Sequence, residues 1–380
     1  MSKILFISNI SNRITTFVTA SISVAHDLKM DFYQVANWHG AEKAQIEKDE
    51  EKYGIKIKNL PISRNPFDKS NLSAYKQLLE FIKQEKIDYI HCNTPTGGIL
   101  GRLAGKKCKV KKVIYQAHGF HFYKGAPKKN WLVYYPVEKW LAKYTDALIT
   151  INKEDFELAS KKFRLRNNGK VYYVAGVGID SKQYLSDGKL RDEKRAELNI
   201  PLDAFVIISV GELNENKNNK VIISALEKLK NKNIHYILCG VGDKKDELSA
   251  MAQSAGISEN IHFLGYITDI KALYNASDCF VMPSYREGLS RSAMEAMASG
   301  LPCILSDIRG NRDLIENGSG GFLCKPDDAS GFSEAISKLF SNSLLCEKMK
   351  EYNLKKIKDF DTSVVEKEIR EIYINELIRG

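Results

Sequence analysis

Short apolar runs alternate with helical periodicities along almost the whole chain, interrupted once near the middle, and this rhythm restricts the fold more than any other feature. In the first half, runs at 4–8, 32–36, 89–92, 113–117 and 147–151 have the length of buried strands, while helical patterns fill 72–84, 98–105, 131–144 and 154–163. Such alternation predicts stacked β-α-β units and a mostly parallel sheet. The segment 171–180, VYYVAGVGID, breaks the rhythm with two glycines and reads as the crossing into a second domain. From Arg191 the pattern restarts, with strands expected at 205–210, 235–239, 262–264, 280–283 and 321–323 and helices between them. The 380 residues suffice for two domains, each with its own core. The expected architecture is α/β: residues 1–180, then 181–361, two similar halves implying a cleft between them, and an amphipathic tail helix within 362–380 docking back on the body.

The net charge of +10 admits three partners: nucleic acid, an anionic membrane surface or a phosphorylated substrate. Lysines concentrate in KKCKVKK at 106–112 and at Lys124, Lys128 and Lys129, beside NWLVYYPVEKWLAKY at 130–144. Trp131, Tyr134, Tyr135 and Trp140 among lysines suit a lipid headgroup region, or else turn inward and leave a solvated basic face. No nucleic-acid-binding motif accompanies the charge, so no such partner is expected. The 7 cysteines are scattered and never form a C-x-x-C pair, which fits reduced core thiols better than disulfides or zinc. The apolar run at 4–7 is too short for a secretory leader and no stretch is long enough to span a bilayer, which predicts a cytoplasmic protein.

The chemistry concentrates in residues 280–307, FVMPSYREGLSRSAMEAMASGLPCILSD, a strand, loop, helix, strand unit. Its first helical turn offers unpaired N–H groups and a positive dipole end at Gly288, Leu289, Ser290 and Arg291, where an anion such as a phosphate binds well. Glu287 and Glu295 flank that turn; eight helical steps of roughly 100° would leave them about 80° apart, so they cannot do the same job. A carboxylate suits vicinal hydroxyls, and a phosphate between two such groups suggests a nucleotide sugar. A buried strand-helix corner with a solvated glutamate is the bland alternative. Two other strand ends add to it. In GELNENKN at 211–218 the strand ends at Gly211, and Lys217 stands at the start of the next helix, where an ammonium and free amides can share one anion. In QAHGFH at 116–121, His118 occupies a strand end of the first half, where ligands bind in such sheets. The first strand end, SNISNR at 8–13, carries no glycine and is no dinucleotide fingerprint; Gly97 and Gly98, after Thr94-Pro95-Thr96, offer a close approach at another end.

Glu287, seven intervening residues and Glu295, followed by AMASGLP, resemble the signature of the retaining family 4 (group 1) glycosyltransferases, which have two Rossmann-like domains facing a central cleft, the GT-B fold. The likeness extends to the His118 strand end, GVGID at 176–180, the 211–218 loop, the Gly240 turn, FLGYITD at 263–269 and SDCFVMPS at 277–284. It implies that Glu287 contacts the donor sugar's hydroxyls, Glu295 holds the ribose, amides at Gly288–Ser290 with Lys217 take the diphosphate, His118 faces the sugar and the leaving phosphate, and the loop at Gly265, Tyr266 and Ile267 borders the base. No metal and no cofactor is expected, the nucleotide sugar being a substrate. HGFHFYKGAP at 118–127 and IRGNRDLI at 308–315 resemble the branch that builds capsule and exopolysaccharide, which implies a UDP-sugar donor, an acceptor glycan on a polyprenyl diphosphate and peripheral attachment at the inner membrane face. A nucleotide-sugar 2-epimerase of the same architecture and a non-catalytic nucleotide-sugar-binding protein are the other readings. The family usually has Arg where this chain has Glu212; Arg291, or else Arg286, is the expected replacement charge.

Overall fold

A computed structural model of the chain describes residues 1–184 and 187–379; Leu185, Ser186 and Gly380, which fall in the expected second domain and tail helix, lie outside them. The chain divides into two compact units, Met1–Gly178 with Thr362–Gly380, and Ile179–Asp361.

The first unit is built on one sheet of strands β1 (Lys3–Ile10), β2 (Asp31–Asn37), β3 (Lys56–Asn59), β4 (Tyr89–Asn93), β5 (Lys112–Ala117), β6 (Ala147–Thr150) and β7 (Lys170–Tyr173). Their order is β3-β2-β1-β4-β5-β6-β7 and every pairing is parallel. Helices cover both faces, so a central strand such as β4 is buried at every position. The segment expected to be all crossing begins instead as a strand: residues 170–173 pair with β6 from Ala147↔Lys170 to Thr150↔Tyr173. The turn proper follows, with Gly176 and Gly178 at φ of 82° and 79°, a left-handed conformation that glycine adopts without steric cost. Helix Thr362–Tyr373 belongs to this unit, its Val365, Ile369, Ile372 and Tyr373 sharing one core with Phe6 and Phe32. Polar bonds fix its register: Tyr89 donates to the Leu377 carbonyl at 2.9 Å, Tyr172 to Glu376 at 2.6 Å, and the Ala175 amide to Glu368 at 3.1 Å.

The second unit repeats the plan with β8 (Phe205–Val210), β9 (Ile234–Cys239), β10 (Ile261–Gly265), β11 (Cys279–Met282), β12 (Cys303–Ser306) and β13 (Gly321–Cys324), in the order β10-β9-β8-β11-β12-β13. Strands β9, β11 and β12 are buried throughout. In each sheet the strand order reverses once, between β1 and β4 and between β8 and β11. At such a reversal the connections leave in opposite directions and a crevice opens at the carboxyl ends of the strands.

Candidate functional site

In the second unit, the loops that leave β8 and β11 meet at that crevice. The Tyr285 amide donates to the Asn216 carbonyl at 2.9 Å, and Asn216 Nδ2 returns a bond to the Arg286 carbonyl at 3.0 Å. Asn218 Nδ2 reaches the Pro283 and Pro326 carbonyls at 3.3 and 2.8 Å. Between these ties, Lys217 Nζ donates to Glu287 Oε1 at 2.7 Å, an ion pair with side chains only 21% and 15% exposed. The lysine stem lies over Gly211, where a Cβ would come within 3.0 Å of Cε. The next strand end is pressed on the same loop: the Gly211 amide donates to the Cys239 carbonyl at 2.9 Å and the Gly240 amide to the Gly265 carbonyl at 2.7 Å.

Helix Arg291–Ala298 starts from that loop. Ser290 caps it, Oγ accepting the Ala293 amide at 3.3 Å. The helix begins at Arg291, later than the 288–291 turn expected from the sequence, so Gly288, Leu289 and Ser290 form the loop that leads into it; their amides donate no hydrogen bond among the described residues, and three N–H groups stand open just before the helix start beside Lys217. The loop is backed by helix Arg309–Leu314: Gly310 lies so close that a Cβ there would sit 2.1 Å from the Gly288 carbonyl oxygen, and Arg309, itself buried, donates from Nε to the Glu287 carbonyl at 3.3 Å.

Glu295 lies on the buried face of the helix, away from Glu287. Its Oε1 accepts from Tyr184 at 3.0 Å and from Arg291 Nε at 2.9 Å, and its Oε2 from Tyr274 at 3.2 Å. Burial first, then the Glu295 charge, pushes the Tyr184 phenol up to about 12, so it remains a donor at neutral pH. Arg291 is thus engaged by Glu295, while Glu212 is exposed with no ion pair among the described residues. Tyr266 is exposed and Ile267 half-buried just beyond β10. A cavity of about 440 Å³ lies at the amino ends of the central strands, where Phe205, Asp278 and Pro302 lead into β8, β11 and β12. Among the described residues no three His, Cys, Asp or Glu side chains are grouped to hold a metal ion.

In the first unit, His118 follows β5 and its Nε2 lies 2.8 Å from Asn93 Oδ1 at the end of β4. Phe17 packs on its ring with centroids 5.0 Å apart. On the surface, helix Lys128–Ala142 divides its aromatics. Trp131 and Tyr135 turn inward on Phe122, whereas Tyr134 and Trp140 are exposed with Leu132, Val133 and Val137, Leu132 at 78%. Lys106, Lys107, Lys109, Lys124, Lys128, Lys129, Lys139 and Lys143 are exposed as well. No helix among the described residues is long and apolar enough to cross a membrane.

Comparison with known proteins gives the family and the fold. Residues 191–356 match the family described as Glycosyl transferases group 1, and residues 3–152 match Glycosyl transferase 4-like. Over 320 residues, 83% of this chain and 84% of the relative, the sequence is 38% identical to EpsD of Bacillus subtilis (strain 168). The chain belongs to the group 1 glycosyltransferases. This glycosyltransferase is also 30% identical, over 82% of its length and 80% of the relative's, to the UDP-Gal:alpha-D-GlcNAc-diphosphoundecaprenol alpha-1,3-galactosyltransferase of Escherichia coli. Its fold is that of Anabaena HepE, solved with UDP and glucose: TM-score 0.80 at 19% identity, covering 99% of this chain and 100% of that one. The two parallel-sheet units are those of the GT-B fold. Of the residues named from the sequence, the glycosyltransferase brings Gly211, Lys217, Glu287, Gly288, Leu289 and Ser290 together at one strand-order reversal, with Glu295 and Arg291 on the adjoining helix. Asn216 and Asn218, in the 211–218 loop, and Arg309 and Gly310, in IRGNRDLI, hold that cluster together, and the sequence marks none of the four individually.

Proposed function

We propose that the protein is a retaining, metal-independent glycosyltransferase that moves a sugar from a UDP-sugar to a polyprenyl-diphosphate-linked glycan in bacterial surface polysaccharide synthesis. The observation that carries this reading is the convergence of three open amides, the Lys217 ammonium and the Glu287 carboxylate at one strand-order reversal. The amides and Lys217 take the diphosphate, and Glu287 accepts hydrogen bonds from the sugar's hydroxyls. Glu295 uses three of its roughly four acceptor positions on Tyr184, Arg291 and Tyr274, and offers the remainder to a ribose hydroxyl. Tyr266 and Ile267 border the base, and the resemblance assigns His118 to the sugar and leaving phosphate. As the bond from the anomeric carbon to the diphosphate oxygen breaks, its electron pair leaves with UDP, and the oriented N–H groups and Lys217 stabilise the growing negative charge without reorganising. The acceptor hydroxyl attacks the oxocarbenium-like carbon from the face of departure, and its proton passes to the leaving phosphate.

The test is turnover of UDP-sugars with lipid-linked acceptors in the presence of EDTA. UDP release with a product of unchanged anomeric configuration is expected. Epimer formed from UDP-GlcNAc without acceptor identifies an epimerase instead, and nucleotide-dependent thermal stabilisation with no turnover identifies a binding protein.

The outward face of helix Lys128–Ala142 supports docking at the cytoplasmic face of the inner membrane. Apolar side chains there enter the headgroup region while each lysine near an anionic surface contributes on the order of 1 kcal/mol. The protein is expected to sediment with anionic vesicles at low salt. Replacing Leu132 and Trp140 together by serine is expected to weaken that binding about tenfold or more, in line with ~0.8 kcal/mol per buried CH₂. No sedimentation of the unmutated protein at low salt would sink the proposal.

A further inference from the structure

The carboxyl ends of β1, β4 and β5 hold a polar cluster of which the reaction scheme uses only His118. Asn93 closes β4 with 2% exposure, and its Oδ1 faces His118 Nε2 at 2.8 Å. The residue after it, Thr94, has φ of 64° and ψ of 160°, a backbone region that side chains other than glycine's rarely enter. Thr94 is clamped there. Its hydroxyl donates to Asn9 Oδ1 at 2.7 Å, the same oxygen accepts the Gly97 amide at 2.7 Å, and a Cβ on Gly97 would crowd the Ser8 backbone at 3.3 Å. The clamp orients Asn93 toward the ring even though it leaves Asn93 Nδ2 buried with no partner among the described residues. A donor left unpaired in a buried cluster is costly and calls for an explanation.

An amide oxygen only accepts, so in this arrangement Nε2 carries the ring proton and Nδ1 is the lone-pair nitrogen. Nδ1 has no hydrogen-bond partner among the described residues. We propose that Asn93 is the positioning residue for His118: it fixes the neutral Nε2–H tautomer and leaves Nδ1 to accept a hydrogen bond from a hydroxyl of the bound sugar. This rests on the reading of His118 as a sugar-facing group, and it gives that group a polarity, acceptor rather than cation. Burial agrees, lowering the His118 pKa from 6.5 to about 4 with no charged side chain contributing. The titratable neighbour is His91, two residues before Asn93 on β4, itself lowered to about 3 chiefly by burial. Helix Thr16–Asp27 presents Phe17 to the ring, and β1 supplies Asn9 to the clamp.

Asn93→Asp keeps the shape and the acceptor but places a carboxylate against Nε2–H, which favours the imidazolium and raises the ring pKa by about 1 to 3 units. A protonated Nδ1 can no longer accept. The acid limb of kcat, read as UDP release from UDP-glucose, UDP-galactose and UDP-GlcNAc, is therefore expected to move up by the same amount, with activity recovering above it. Asn93→Ala releases the ring and is expected to lower kcat about 10- to 100-fold without moving the limb or changing UDP-sugar KM, as for a misplaced reacting group. ¹⁵N NMR of the histidine rings, with His118 assigned from His118→Gln, reads tautomer and ring pKa whether or not these three sugars turn over. A ring pKa that does not rise in Asn93→Asp, or an Nδ1–H tautomer in the unmutated protein, overturns the inference alone. His118→Gln turning over at the unmutated rate overturns the reading of His118 and the inference with it. A merely structural Asn93 would lower the melting temperature in both variants and leave the limb where it was.

Discussion

Glu287→Ala is expected to lower kcat/KM for sugar transfer about 10³-fold while leaving UDP binding within a few fold of its unmutated value. The carboxylate is only 15% exposed and is tied through Lys217 to the loop after β8. A site built to bond a sugar's hydroxyls and then stripped of its acceptor leaves those hydroxyls unpaired in a place that excludes water, which is costly in the transition state. Lys217→Ala removes the other half of the pair. It is expected to lower kcat about 10²- to 10³-fold, the magnitude associated with loss of one oriented stabiliser of developing negative charge, and also to weaken UDP itself. The two losses separate on UDP affinity, since in the proposed scheme only the lysine meets the diphosphate. They are not expected to add: with either partner gone the survivor loses its 2.7 Å anchor, so the double variant should fall little below the worse single one. Isothermal titration with UDP and initial rates with the UDP-sugar measure both. Transfer at the unmutated rate by Glu287→Ala would show that the carboxylate's role has been misassigned.

The cluster that these variants probe was partly legible in the sequence, and the division follows from what local pattern encodes. A helix start near Ser290 is written locally, a serine shortly after a glycine and before a helical run, and so is the divergence of Glu287 and Glu295 into different directions. The pairing of Lys217 with Glu287 is not local. It depends on β8 lying beside β11, a neighbour relation set by the whole sheet, and the residues that enforce it, Asn216 and Asn218, are ordinary loop asparagines in sequence. The same holds for Asn93 and His118, which meet because β4 pairs with β5. Arg309 and Gly310 back the anion loop across the sheet, where no spacing rule connects them to Gly288.

The fold shows the same limit. Strand β3, KIKN, is an edge strand with exposed lysines at both ends of its KIK run except where Ile57 is half-buried, so it has neither an apolar run nor a buried alternation to reveal it. Strand β7 is short and half-buried and runs straight into the glycine turn, which hid it within the crossing. Glu212 is exposed with no ion pair among the described residues, and Arg291, the expected replacement for the charge missing there, is engaged by Glu295. The buried cation closest in bonding to the anion loop is Arg309, through the Glu287 carbonyl.

Gly240→Ala is expected to be among the most damaging single methyl groups in the second unit. A Cβ at 240 would lie 1.9 Å from the Gly211 carbonyl oxygen and 2.8 Å from its carbon, both backbone atoms, so no side-chain rotation relieves the clash. Relief requires the turns after β8 and β9 to part, against the bonds from the Gly211 amide to Cys239 and from the Gly240 amide to Gly265. Gly211 is also the floor under the Lys217 stem, and the same shift therefore moves the ammonium off Glu287. Overpacking of this kind costs about 3 kcal/mol, which for a unit of this size lowers the melting temperature by about 6 to 12 °C. Gly256→Ala supplies the comparison: its φ is 69° and a Cβ there meets nothing within 4 Å, so only the left-handed backbone penalty of about 1 to 2 kcal/mol remains. Differential scanning calorimetry should rank Gly240→Ala well below Gly256→Ala in stability. Only Gly240→Ala should also lose UDP-dependent stabilisation, because only that methyl group pushes on the loop that carries Lys217. Equal melting temperatures for the two variants, with UDP stabilisation intact in both, would show that the two turns can part without disturbing the anion site.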